Sequence, residues 1–334
     1  MRKRPTIIDV AEHAGVSKST VSLVLNKSQL IKKDTYVKVE SSLKALNYIY
    51  HSAAATLRGS TPGLIGLVIN DLRNPFFTEF AASAEMIFSN HGFATVIANT
   101  DENCKKQLQV IKSMIEHEIA GLLISPCYGG NGKIFNEILR FNKPVLQVLR
   151  CVDKSKQIPF FSMDYHNGGK LATKHLIERG AQKIAFVGGN ENNPITIERM
   201  SGYKVIMFEN DLETNIFYGE STRSRGYNLA KNIGNNHPDI EAILCFNDII
   251  AFGMISGFSE IGKRIGDDIL LVGFDDIEEC EHCYPKLSSV RCDINSFGKK
   301  SAEFILNWLS AGKQPESMTR EPVKLIKRQS SLGK

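Results

Sequence analysis

Between Asp9 and Asn26 the chain reads DVAEHAGVSKSTVSLVLN, and this stretch limits its fold more than any other. Apolar residues at helical spacing run as far as Ala14-Gly15, stop, and resume after Ser17. Glycine at position 15 lets the backbone take a positive φ, and Ser17 is placed to cap the helix that follows. Projected at about 100° per residue, Thr20, Val21, Val24 and Leu25 share one face of that second helix. Lys18, Ser19, Ser22 and Leu23 share the other. The first face can pack on Val10, Ala11 and Ala14, and a third amphipathic segment, 35–46, adds Val39, Leu43 and Leu46. Helices this short are unstable alone, so they must form one miniature core. Three helices within fifty residues, the first two joined by a tight turn, make a helix-turn-helix unit.

Charge and composition change at the end of this unit. Residues 1–60 hold ten Lys/Arg and four Asp/Glu, a net +6, whereas the whole 334-residue chain is +5. The remainder is therefore close to neutral, and every Phe, from Phe76 onward, lies in it. A basic head is either a solvated surface or a nucleic-acid footprint. Its exposed second face, built of short side chains, has the shape needed to enter a major groove.

Past Gly63 the pattern becomes short apolar runs alternating with helical ones. GLIGLVIND, FATVIANT, AGLLISP, KPVLQVL, KIAFVGGN, AILCFND and DILLVGFDD read as buried strands. Repeated β-α units predict parallel sheets covered on both faces, and two sets of strands predict two lobes. Polar residues recur where these strands stop: Asp71, Asn99-Thr100-Asp101, Ser125, Asn247-Asp248 and Asp275-Asp276. In such sheets ligands sit beyond the carboxyl ends of the strands, although Asp and Asn there can equally cap the next helix.

No G-x-G-x-x-G follows a strand, and neither a G-K-[ST] loop nor a G-x-S-x-G elbow occurs, so no enzyme or cofactor is predicted. Cys280 and Cys283 form a C-x-x-C around His282, but no second pair completes four zinc ligands. The seven scattered cysteines read as free thiols. With neither a signal peptide nor a run of eighteen apolar residues, the chain is expected in the cytoplasm and not in a membrane.

The runs TIIDVAEHAGVSKSTVSLVLN, VKVESSLKALNY and LRGS resemble the N-terminus of the LacI/GalR family of transcriptional regulators, and the likeness continues through the body. Within the family the head is most similar to the maltose-regulon branch. The resemblance implies a helix-turn-helix domain over 1–50, a hinge over 51–60, and a two-lobed periplasmic-binding-protein-like sensor over 61–334. Lobe 1 would comprise about 63–162 and 294–323, and lobe 2 about 163–293 and 324–334. It assigns base reading to Lys18, Ser19 and Leu23, the last suited to a thymine methyl. Thr6, Ser22, Asn26, Thr35 and Tyr48 would touch the DNA backbone, although Ser22 could be merely solvated and Tyr48 the edge of the core. Ala54 and Leu57 would pair in the minor groove, with Leu57 as the wedge.

In the sensor the resemblance points to Asp71, Phe76, Arg150, Arg199, Asn247 and Asp275 as effector-binding residues. Such a set suits a sugar or sugar derivative, with a purine as the alternative. The partners implied are operator DNA, a small-molecule effector and a second copy of the chain. The ending RQSSLGK lacks a leucine-heptad tail, so a homodimer is expected. A solute-binding protein whose head ignores DNA is the other reading.

Overall fold

A computed structural model describes residues 5–25, 28, 30–48, 63–129, 133–152 and 157–332. It divides into a small N-terminal unit and a large α/β body.

The head is built of α1 (Ile7–Ala14), α2 (Lys18–Leu25) and α3 (Lys33–Ala45). Thr6 opens α1 with a capping box: its hydroxyl accepts from the Asp9 N–H, and the Asp9 carboxylate accepts from the Thr6 N–H at 2.6 Å. Gly15 ends the helix in the left-handed region at φ 66°, the conformation that glycine adopts without a Cβ penalty. Ser17 then accepts from the Thr20 N–H at 3.1 Å, starting α2. Val10, Ala11, Val21, Val24 and Val39 form the buried core, with Leu25, Leu43, Leu46 and Tyr48 packed around it. His13 and Ser42, 3.0 Å apart, join α1 to α3.

The body contains two six-stranded sheets. The first comprises β1 (Leu64–Ile69), β2 (Ala94–Asn99), β3 (Gly121–Ile124), β4 (Val145–Val148), β5 (Phe160–Met163) and β11 (Met318–Glu321). Its spatial order is β11-β5-β4-β3-β1-β2. The second comprises β6 (Ile184–Val187), β7 (Asn215–Phe217), β8 (Ala242–Cys245), β9 (Leu270–Asp275), β10 (Ser288–Arg291) and β12 (Lys324–Ile326), ordered β12-β10-β9-β8-β6-β7. Parallel pairing runs through both sheets, while β12 lies antiparallel to β10. The order reverses between β1 and β3 and between β6 and β8, giving each lobe a switch point where the loops diverge.

The connecting helices are α4 (Pro75–Asn90), α5 (Cys104–Glu116), α6 (Lys133–Phe141), α7 (Tyr165–Glu178), α8 (Pro194–Glu209), α9 (Arg223–Asn236), α10 (Asp248–Glu260), α11 (Glu279–His282), α12 (Ile294–Ala311) and α13 (Gln329–Leu332). The chain passes between lobes three times: after β5, after β10 and between β11 and β12. α12 therefore packs on α4 of the first lobe, where Phe297 stacks on Phe161 at 4.4 Å. No described helix is long and apolar enough to cross a membrane. The seven cysteines form no disulfide among the described residues.

Candidate functional site

The two switch points open onto one cavity of about 380 Å³, lined from both lobes. Lobe 1 contributes Asn70 and Asp71 from the end of β1, Phe76 from α4, Glu102 from the end of β2, Tyr128 from the loop after β3, and Arg150 after β4. Lobe 2 contributes Tyr165, Arg199, Phe246, Asn247 and Asp275. All six effector-binding candidates read from the sequence thus line a single cleft.

Arg199 on α8 is its most constrained member. The guanidinium is only 3% exposed, bonds Asp275 at 2.7 Å and donates to the Phe246 carbonyl. Three rings enclose it, with centroids at 3.8 Å for Phe274, 4.7 Å for Tyr165 and 5.0 Å for Phe246. Burial opposes the charge on Arg199, but Asp275 restores it and holds the guanidinium pKa above its ordinary value. Burial likewise pushes the Asp275 carboxyl up, and the Arg199 charge pulls it back. The Asp275 backbone has φ 108°, a strained region for a residue with a side chain.

A second pair faces it from lobe 1. Arg150 is 4% exposed, so it is no surface residue, and it bonds Glu102 at 2.8 Å. Asp71 accepts from the Arg73 N–H and Nε, and Phe76 meets the Phe77 ring edge-on at 5.4 Å. Asn247 caps α10, accepting from the Ile250 N–H at 3.1 Å, while its amide donates to Ser221. The capping alternative therefore applies to Asn247. Asp248 instead fastens the lobe, bonding Ser289 at 2.6 Å and the Ile277 N–H at 3.0 Å; burial, then the charge of Asp275, pushes its carboxyl up to about 8. Asp276 is held by Arg291 and Arg328.

Several buried polar atoms at the cleft lack an internal partner: both amide atoms of Asn70, the Tyr165 hydroxyl, and Nε of Arg150 and of Arg199. Buried polar groups are normally satisfied, so these atoms are free to take hydrogen bonds from a polar molecule in the cleft. Five acids (Asp71, Asp101, Glu102, Glu220, Asp275) and three arginines (Arg73, Arg150, Arg199) line it, a formal excess of negative charge. Asn70, Tyr128 and Tyr165 escaped the sequence reading. Only Asn70 carried a signal, as the polar residue ending an apolar strand.

In the head, Lys18 and Ser19 are exposed on α2, and Leu23 is 38% exposed although large and apolar. Ser22 and Thr35 are half-buried, Thr6 is engaged by Asp9, and Tyr48 rests against the small core. Asn26, Ala54 and Leu57 lie outside the described residues, as does the hinge.

Residues 6–50 match the profile of bacterial regulatory proteins of the lacI family, and residues 173–331 that of periplasmic binding protein-like domains. The chain is 31% identical to the ribose operon repressor of Halalkalibacterium halodurans, over 98% of this chain and 97% of that protein. It belongs to the lacI family. Another relative, the HTH-type transcriptional repressor PurR of Vibrio atlanticus, is 32% identical over 90% of this chain and 91% of its own. Among solved lacI-family structures, the lac repressor dimer bound to operator and the anti-inducer ONPF superposes with a TM-score of 0.85. It is 26% identical, covering 99% of this chain and 100% of that one. These two relatives, a ribose operon repressor and a PurR repressor, do not support the maltose-regulon likeness of the head.

Proposed function

We propose that the protein is a cytoplasmic transcriptional repressor whose affinity for operator DNA is set by a neutral sugar in the interlobe cleft. A homodimer presents one α2 to each half-site of a pseudo-palindromic operator. Lys18 and Ser19 read base edges and Leu23 packs on a thymine methyl. Thr6, Ser22, Asn26, Thr35 and Tyr48 hold the phosphate backbone, while Ala54 and Leu57 of paired hinges enter the minor groove. Ligand binding changes the angle between the lobes and hence the spacing of the hinges.

The observation that carries the sugar reading is the convergence of unpartnered Asn70, Tyr165, Arg150 and Arg199 atoms on a cleft with excess negative charge. Hydroxyls can donate and accept there, whereas a phosphate would meet five carboxylates against three arginines, each of which is already paired with one of them. A purine is less well served, because Phe246, Phe274 and Tyr165 already pack around Arg199. The likeness to a ribose operon repressor points the same way.

Two exposed apolar areas support the dimer. Val96 and Ile97 on edge strand β2, with Met86 of α4, are each 41–42% exposed; in lobe 2, Tyr284 is 76% exposed beside Ile255. Edge strands bearing such side chains normally need a cover.

A thermal-shift screen of sugars, sugar phosphates, nucleosides and nucleobases tests the ligand class. A neutral sugar at a hundred times its Kd stabilises the protein by about 2.7 kcal/mol, and Arg199→Ala abolishes the response. A nucleobase response in place of a sugar response overturns the assignment.

A further inference from the structure

Two consecutive residues with side chains, Asp275 and Asp276, take positive φ angles of 108° and 58° where β9 ends. Such a turn persists only where its surroundings over-determine it. Two of the bonds that hold it lead to one buried carboxylate. Asp248, at the start of α10, accepts the Ile277 N–H at 3.0 Å on one oxygen and the Ser289 hydroxyl at 2.6 Å on the other. The Ser289 oxygen in turn accepts the Asp276 N–H at 3.1 Å. Asp248 therefore holds both backbone N–H groups that follow Asp275, one directly and one through Ser289 of β10. Gly273 on β9 makes room for it, since a Cβ there would lie 2.1 Å from the Asp248 carboxylate oxygen that Ser289 bonds. Asp248 is 1% exposed and Ser289 is fully buried. Neither is among the residues lining the cavity, whereas Asp275 is. The remaining supports act elsewhere: the Cys292 N–H bonds the Asp275 carbonyl at 3.1 Å, and Arg291 and Arg328 hold the Asp276 carboxylate.

We propose that Asp248 is a positioning residue for the effector cleft, clamping the 275–277 turn with Ser289 so that the Asp275 carboxylate meets Arg199 and the ligand. This rests on the sugar reading of the cleft and deepens it, by naming a residue that sets affinity without touching the ligand. Without the clamp, two N–H groups lose their acceptors and the turn is free to relax toward negative φ, the region side chains prefer. That relaxation swings the Asp275 side chain, whose oxygen lies 2.7 Å from the Arg199 guanidinium, out of bonding range.

Calorimetric titration of the full chain with D-ribose, D-xylose and D-glucose tests the clamp, using wild type, Ser289→Ala, Asp275→Asn and the double variant. Circular dichroism at the titration temperature confirms that each is folded. Ser289→Ala should weaken the sugar that wild type binds about tenfold, the worth of one hydrogen bond. In the Asp275→Asn background the same change should cost less than twofold. Asp248→Asn, which keeps the volume but only one acceptor, repeats the test should Ser289→Ala fail to fold. Wild-type affinity in both clamp variants, or an equal loss with and without Asp275→Asn, overturns the proposal. A second arm needs no ligand and decides where a variant binds too weakly to titrate. Urea unfolding of wild type, Arg199→Met, Asp275→Asn and their double variant measures the Arg199–Asp275 interaction as non-additivity. That non-additivity should fall by at least half in the Ser289→Ala or Asp248→Asn background, and an unchanged value overturns the clamp. Binding of no sugar by wild type overturns the sugar reading alone, because the urea cycle still decides the clamp.

Discussion

At Arg199, three aromatic rings and a carboxylate enclose a guanidinium that water would otherwise hold. Removing one member of a buried ion pair leaves the other charge uncompensated, at a cost of about 3–5 kcal/mol. Asp275→Ala should lose that much in urea unfolding, whereas Arg199→Met with Asp275→Asn should recover much of it and still bind no sugar. A loss below about 1 kcal/mol for Asp275→Ala would contradict the pairing. His175 offers a separate test, remote in sequence from the Ser331 hydroxyl that its Nε2 meets at 2.8 Å. Burial, helped by the charge of Lys327, lowers its pKa to about 4. Its neutral form is the one the fold accommodates, so its stabilisation is present above the unfolded-state value of about 6.5 and is lost as pH falls toward 4. His175→Gln should therefore lose less stability than wild type between pH 6.5 and 4, by up to about 3 kcal/mol. Parallel pH dependences of the two proteins would contradict a neutral buried imidazole.

Among the elements, α7 and α8 place Tyr165 and Arg199 by packing unusually close. A Cβ at Gly202 would lie 2.0 Å from the His166 carbonyl oxygen, and one at Gly169 would lie 2.1 Å from that of Arg199. Gly202→Ala should destabilise by about 1–3 kcal/mol or more and weaken the sugar response in the same titration. An unchanged melting temperature would show that the helices can part without cost. What the sequence made legible follows from the same packing. Strands β1, β3, β4, β6, β8 and β9 are buried and announce themselves as apolar runs. Strands β10 (SSVR), β11 (MTRE) and β12 (KLI) are short, and their places depend on chain crossings that no local pattern encodes. Asp275 was legible as a polar residue ending an apolar strand, whereas Arg199 was reached only through the family resemblance. Tyr128 and Asn190, hydrogen-bonded across the cleft at 2.8 Å, sit in loops with no periodicity, and their pairing exists only after two lobes have folded. In the head, the helix-turn-helix pattern was plain, yet the Thr6–Asp9 capping box was not read from it, since Thr6 was noticed only as a possible DNA contact.

Taken as a whole molecule, a basic head that could read DNA is joined to a body whose acidic cleft suits a neutral polar ligand. Neither part alone accounts for the other. If the two are coupled, linkage requires the operator to change sugar affinity by the factor with which sugar changes operator affinity. Operator DNA can be obtained by selecting bound fragments from a random library with the full chain, and the sugar by the thermal screen. The decisive measurement is the Kd of that sugar for free protein and for protein saturated with the selected DNA. A coupling of about 1–3 kcal/mol, a difference of roughly 5- to 150-fold, is the predicted result. Equal dissociation constants would mean that the cleft does not control the head, and would contradict the account of this protein as a ligand-regulated repressor.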